Sequence, residues 1–270
     1  MLHLGRESVI CAYELDGLIV DPGPASTVDT LVDRLGPTVP RALLLTHIHL
    51  DHAGAAGTLC RRYPELEVYV HEVGAPHLVD PAKLLASVSR LLGHDAEDLW
   101  GETLPVPEDR IHVLSGGERV EGFRVAYTPG HASHHVCYFH EESRDAYVGD
   151  MAGVRIPPYE LTLAPTPPPD IDIEAWLESL HTIAGWNPQS LRLTHFGPVT
   201  DVADQLHRVR HALTESADSA RMDGEERFIA KLETGLAEAT DPATVEVFEQ
   251  AAPLDQLYQG LARYWRKKAE

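Results

Sequence analysis

The chain is short of cysteine. Cys11, Cys60 and Cys137 are the only three, they lie far apart, and none forms a Cys-x-x-Cys pair. An odd, scattered set argues against a disulfide framework and fits a reducing compartment. Basic residues are scarce as well: 22 Lys and Arg against 42 Asp and Glu leave a formal net charge of −20. Wrapping a phosphate backbone needs a positive footprint, so no nucleic-acid partner is expected. A small anionic substrate stays compatible, because bound divalent cations reverse the local field. No apolar run approaches the length of a membrane span. The first residues, Met1-Leu2-His3-Leu4-Gly5-Arg6-Glu7, hold no basic segment followed by an apolar one. We therefore expect a cytoplasmic protein with no signal peptide and no membrane partner.

What the sequence does have is a core of ordinary size and an excess of histidine. Its 270 residues are 43% hydrophobic, enough for one large domain, alone or with a small appendage, and 16 of them are histidines. Short apolar runs separated by turns predict strands at 9–13 and 18–20 around Asp16-Gly17, then at 42–45, 66–70, 111–114, 123–127, 136–139, 146–148 and 191–193. Helices are predicted from Ser26 or Thr27 to about Leu35, over 53–62, over 72–93 with breaks at Pro76 and Pro81, and over 174–184 with a Trp176, Leu177, Leu180 face. Residues 95–109, with Trp100, read as a lid-like insertion. The proline-rich stretch 157–169 reads as an extended loop beside the site. From Val202 onward no strand signal remains, and Leu206, Val209, Leu213, Phe228, Leu232 and Leu236 recur at helical spacing. Alternating strands and helices make this an α/β layered protein. We divide it into residues 1–201 and an appended helical section, 202–270, expected to cover part of the site mouth or to form a homodimer interface.

The chemistry is concentrated in Thr46-His47-Ile48-His49-Leu50-Asp51-His52-Ala53-Gly54. Four metal-competent side chains fall within six residues, directly after a buried strand. Residues two apart point the same way in extended chain, so His47 and His49 can face one ion. Asp51 and His52, where the chain turns into a helix, can face a second. Imidazole and carboxylate suit zinc, and also iron or manganese. Three later positions repeat the placement of a ligand after a strand: His131 in Thr128-Pro129-Gly130-His131, Asp150 in Val148-Gly149-Asp150, and His195 in Leu193-Thr194-His195.

Taken together, His-x-His-x-Asp-His at 47–52, Pro-Gly-His at 129–131, Gly-Asp at 149–150, Thr-His at 194–195 and Asp21 resemble the metallo-β-lactamase superfamily, specifically its glyoxalase II-like and lactonase-like hydrolases, over roughly residues 7–200. The resemblance implies a four-layer αββα sandwich with the site at the edge of two sheets. It implies two divalent metal ions, zinc first, with iron or manganese as alternatives. His47, His49 and His131 would hold one, Asp51, His52 and His195 the second, and Asp150 would bridge them. Two close cations ease deprotonation of a bridging water, and the hydroxide would attack a small ester-like substrate, a thioester or lactone. Asp51 would also orient or shuttle the proton. A phosphodiesterase of the same fold and a mononuclear iron enzyme resembling persulfide dioxygenases are the alternatives. A true β-lactamase is disfavoured, because the relevant branch has cysteine where Asp150 stands. Many relatives read Pro-Gly-His-Thr-x-Gly-His, whereas here Ala132-Ser133-His134-His135 follows His131. His134, His135 and Tyr159 are taken as candidate substrate contacts.

Overall fold

The computed structural model describes residues 3–92 and 99–270. His94 and the start of the lid-like stretch, residues 95–98, lie outside the described residues, as does Gly93 at the end of the helix expected over 72–93.

Two sheets carry the fold. The first contains β1 (Tyr13–Leu15), β2 (Leu18–Val20), β3 (Ala42–Leu44), β4 (Glu67–His71) and β5 (Ile111–Leu114), in that spatial order. The β1–β2 hairpin is antiparallel, and β2 to β5 are parallel. The second contains β6 (Arg119–Val120), β7 (Phe123–Tyr127), β8 (Val136–His140), β9 (Asp145–Gly149), β10 (Ser190–Leu193) and β11 (Gly197–Val199), ordered β11-β10-β9-β8-β7-β6. Only β9 and β10 pair in parallel there.

Strand alternation explains the layers. Leu18, Val20, Ala42 and Leu44 of the first sheet meet Phe123, Val125, Val136, Tyr138 and Tyr147 of the second in one buried cluster. Their neighbours point the other way. Ile19, Leu43, Val68 and Val70 pack under the helices α1 (Val28–Leu35), α3 (Ala56–Arg62) and α4 (Ala75–Val79). Cys137, Phe139, Ala146 and Val148 pack under α6 (Ile173–Gly185) and the C-terminal helices. Both faces of each sheet are covered, which is why these strands read as nearly continuous apolar runs. Each fully buried Leu, Val or Phe contributes roughly 1.5–3 kcal/mol of transfer free energy. The αββα sandwich expected from the resemblance is the fold observed.

The C-terminal section is α7 (Val202–Met222), α8 (Glu225–Ala239), α9 (Pro242–Ala251) and α10 (Leu254–Ala269). Leu206, Val209, Leu213, Phe228, Leu236, Phe248 and Leu261 join the same core as the outer face of the second sheet. Asp241 caps α9, accepting from the Ala243 and Thr244 amides at 3.0 and 3.1 Å, with Pro242 pre-set at the first helical position. Among the described residues no helix is long and apolar enough to cross a membrane.

Several boundaries differ from expectation. The strand expected over 9–13 begins only at Tyr13. Val9 to Ala12 instead run beside the second sheet, where the Cys11 amide donates to Thr194 O at 2.8 Å. The helix expected over 53–62 is two, α2 (Leu50–Ala53) and α3, and that over 72–93 is α4 and α5 (Ala82–Leu92). Strands β6 and β11 carried no signal. One is two residues long beside the Glu121-Gly122 turn. The other contains Pro198, which lacks a ladder donor and is tolerated because β11 is an edge.

Candidate metal centre

The site collects at the C-terminal ends of strands that run in the same direction within each sheet. Asp21 follows β2, and the His47–His52 run follows β3. His131, Asp150 and His195 follow β7, β9 and β10. Two motif glycines are required by close approach. Gly130 has φ +137°, and a Cβ there would stand 2.4 Å from Trp176 Cα; Gly149 has φ +50°, and a Cβ would stand 2.5 Å from Thr46 Oγ1.

The seven sequence-nominated positions converge. His49 Nδ1 lies 2.9 Å from His47 Nε2 and 3.1 Å from His131 Nε2. On the other side, His195 Nε2 is 3.2 Å from Asp51 Oδ2, and His52 Nε2 is 3.6 Å from the same oxygen. Asp150 stands between the groups, with Oδ1 3.2 Å from His52 Nε2 and Oδ2 3.3 Å from His131 Nε2. Three overlapping trios have donor atoms within 4.8 Å of one another: His47, His49 and His131; His47, His52 and Asp150; Asp51, His52 and His195.

Outer hydrogen bonds aim the rings. His52 Nδ1 donates to Asp21 Oδ2 at 2.8 Å, His131 Nδ1 to Pro165 O at 2.8 Å and His195 Nδ1 to Val9 O at 2.6 Å. The Thr46 hydroxyl donates to Asp21 Oδ2 at 2.7 Å, so His47 Nδ1, 3.0 Å away, donates to that hydroxyl oxygen. Four rings therefore present Nε2 inward, in the tautomer that a metal ligand needs. Asp21 also accepts from the Thr46 amide and the Thr194 hydroxyl, tying both sheets to one carboxylate. It acts on the site through His52.

The donor set fits divalent cations. His52 Nε2 and Asp150 Oδ1 are buried 3.2 Å apart, and neither has a partner in hydrogen-bond geometry, a costly arrangement for polar groups out of water. Burial, reinforced by neighbouring imidazoles, pushes His47 well below the usual histidine range and His49 down to about 4, which keeps both neutral as ligands must be. Burial also opposes charge on His52 and His195, but the Asp150 and Asp51 carboxylates outweigh it and raise both. For Asp150, burial is overcome by His52, His195 and His131, which hold the carboxyl well below its ordinary range. The pocket supplies negative charge and neutral nitrogen together, a donor set that a cation completes.

Beside the cluster opens a cavity of about 240 Å³. His49, Asp51 and Asp150 form its floor. Leu99 and Trp100, the prolines 165, 167 and 168, and residues of α9 and α10 form its walls. The proline loop lies beside the site as expected, and the C-terminal section reaches the mouth.

The three residues expected as substrate contacts, His134, His135 and Tyr159, are not among the described residues that line this cavity. The Tyr159 hydroxyl donates to Asp241 Oδ2 at 2.8 Å, so it serves the cap of α9. His135 is fully buried, with Nδ1 3.0 Å from Thr128 Oγ1 and its ring stacked 5.0 Å from that of His47. His134 Nδ1 accepts from the Ile48 amide at 3.4 Å, and its ring stacks 6.1 Å from that of His47. Both histidines support the first trio from behind. Sequence reading passed over His3, which does line the cavity. It has no ligand-like spacing to any other residue, so no pattern could have found it.

A family model for the metallo-β-lactamase superfamily matches residues 8–188. The metallo-β-lactamase fold-containing protein ST1585 of Sulfurisphaera tokodaii is 27% identical over 74% of this chain and 75% of its own. Its crystal structure superposes with a TM-score of 0.70 at 22% identity, covering 94% of this chain and 93% of that one. Hydroxyacylglutathione hydrolase from an Enterobacter strain is 33% identical over 45% of this chain, and the match spans only 38% of that relative's length. The structure of TTHA1623 in a di-iron-bound form is similar with a TM-score of 0.53 at 26% identity, covering 73% of this chain and 90% of that one. The chain belongs to the metallo-β-lactamase superfamily and is a metal-dependent hydrolase within it.

Proposed function

We propose that this protein is a binuclear hydrolase of small ester-like substrates, thioesters or lactones. His47, His49 and His131 would hold one divalent ion, Asp51, His52 and His195 the other, and Asp150 would contact both. The observation that carries the reading is Asp150, whose two oxygens face different histidine groups at 3.2 and 3.3 Å while Oδ1 has no hydrogen-bond partner. Two bound cations would supply Lewis acidity and an acidified water. The chain's own residues do the rest. Asp21, Pro165 and Val9 fix the imidazole tautomers, and the walls bind and orient the substrate. Asp51 is the ligand-set carboxylate most open to the cavity, with its side chain 21% exposed, and we assign it the orienting of the proton as the substrate reacts.

Zinc is proposed as the metal from the nitrogen-rich donor set. The di-iron form of TTHA1623 makes iron the alternative. The thioester class draws support from the hydroxyacylglutathione hydrolase relatives, which match over part of their length. A phosphodiesterase is less favoured, since no Lys or Arg is among the described residues that line the cavity. We also propose that residues 1–201 form the fold domain and that 202–270 are an extension packed on it, and that the protein acts in the cytoplasm without a nucleic-acid partner.

The test is metal analysis of protein reconstituted with zinc, iron or manganese, followed by assays with a thioester, a lactone and bis-p-nitrophenyl phosphate. Two metal equivalents with ester turnover are expected. One equivalent, or turnover of the phosphodiester alone, overturns the reading.

A further inference from the structure

His3 is buried to 1% exposure, lines the cavity beside Asp51, and its Nδ1 has no hydrogen-bond partner. It is held firmly for a residue so near the chain's start. Its ring stacks on the Trp100 indole at 5.2 Å between centroids and 7° between planes. Its amide donates to Arg6 O at 3.1 Å, and its carbonyl accepts from the Arg6 amide at 3.0 Å and from Gln250 Nε2 at 3.0 Å. Arg6 in turn donates to Gln250 Oε1 at 2.6 Å and pairs with Glu246, so α9 clamps this turn. The backbone and one ring face are held by these contacts while the buried Nδ1 has no partner, at a position where unpaired polar atoms are expensive.

The rest of the wall is mainly apolar, with Gln250 and Gln256 as its uncharged polar members. Leu84, Val88, Leu99, Trp100, Pro167 and Leu257 face the same space. Among the described residues the lining includes no Lys or Arg, and its carboxylates are Asp51 and Asp150 of the metal cluster. A substrate arm ending in a carboxylate or phosphate would find no counter-charge among these described residues and would lose its hydration.

We propose that this cavity is a subsite for an uncharged, apolar substrate arm, and that His3 binds an oxygen of the ester group it carries. The inference rests on the hydrolase reading above and narrows it to neutral substrates. An imidazole pinned against an indole loses little freedom on binding, so its one hydrogen bond positions the substrate at low entropic cost.

The test uses the metal-loaded full chain. p-Nitrophenyl hexanoate is compared with mono-p-nitrophenyl adipate, which has an arm of similar length ending in a carboxylate. The wild type is expected to favour the hexanoate by about tenfold or more in kcat/KM, and equal or reversed preference overturns the apolar subsite. Leu84→Lys is expected to reverse the preference, and an unchanged ratio likewise overturns it. His3→Phe keeps the stacking and removes the nitrogens. It is expected to raise KM for the hexanoate about tenfold, with kcat and metal content little changed, and His3→Gln to recover part of the loss. An unchanged KM in both variants, or a fall in kcat that tracks lost metal, overturns the role of His3. Binding of hexanamide by calorimetry separates this inference from the hydrolase reading. Weaker binding to His3→Phe than to wild type supports the subsite even if neither ester is turned over. Ester turnover with His3-independent hexanamide affinity removes the role of His3 and leaves the hydrolase reading intact.

Discussion

The floor and the walls of the cavity are built on different principles. The floor rests on a cluster at the ends of central strands, in which His47, His52, His131, Asp150 and His195 are all buried. Each of those four histidines has its outward nitrogen tied by a hydrogen bond of 3.0 Å or less. The walls come from connections and late segments: Trp100 beyond α5, the prolines 165, 167 and 168, and the α9–α10 corner. They meet the cavity with apolar surface and few polar groups. A floor fixed by hydrogen bonds suits metal chemistry, where small displacements of ligands are costly, while an apolar wall can be reshaped without disturbing the cluster.

The sharpest way to break that division is Asp150→Ala. It removes the one carboxylate shared by both groups, and metal content should fall, with kcat/KM dropping by well over the roughly 100-fold that loss of an outer partner costs. Inductively coupled plasma analysis and kinetics read both.

Leu261→Ala probes the opposite region. Leu261 is fully buried where α10 meets the core behind the second sheet, so denaturant unfolding should show a loss of about 2–5 kcal/mol. Metal stoichiometry in the folded fraction should be unchanged. If it fell, floor and C-terminal section would be one cooperative unit.

Asp21→Asn tests whether orientation matters as much as ligation. The amide can still contact His52 Nδ1 and the two threonines, but it no longer enforces the tautomer. Metal affinity in competition with a chelator should weaken by about 10–100-fold. Wild-type affinity would show that Asp21 serves packing alone.

A smaller effect concerns the anchor of α7. Asp201 is held at about 2 by hydrogen bonds from Arg155 and, after a small opposing burial cost, Arg208. Its folded value lies below the unfolded one, so its contribution is present above pH 4 and is lost as pH falls toward 2. The group is about one-third exposed, and screening limits the contribution to below about 1 kcal/mol. Comparing acid unfolding of wild type and Asp201→Asn tests it, and identical curves would remove the anchor. The smallest effect is expected from Tyr159→Phe. Its hydroxyl serves the α9 cap and not the cavity, so kcat/KM should stay within about twofold of wild type. A large rise in KM would restore Tyr159 as a substrate contact.

The seven converging positions were legible because most obey a local rule: a metal-competent residue directly after a buried apolar strand. Asp51 and His52 add a short-range spacing, and Gly130 and Gly149 mark turns whose backbones must approach Trp176 and Thr46. Strands with two buried faces were legible as well. β6 and β11 were not, because edge strands of two or three residues carry no periodicity and Pro198 argues against one of them. That Tyr159, His134 and His135 stand outside the cavity lining was not legible either, for a related reason. Proximity in sequence to the Gly-Asp and Pro-Gly-His motifs says which segment a side chain belongs to, but not whether it faces the cavity or the core.

By itself the sequence determined the layered class, the helical C-terminal section and the seven residues that converge at the sheet edge. Hydrophobic period and ligand spacing are local properties, and the alternation of strand faces carries them into three dimensions. Only the tertiary structure decided the contents of the walls. His3, Trp100 and the α9–α10 corner are separated by most of the chain, and long-range packing joins them around one cavity. The same packing decided that Asp21 orients His52 and that Asp150 faces both histidine groups, since hydrogen bonds between distant strand ends have no sequence period to reveal them.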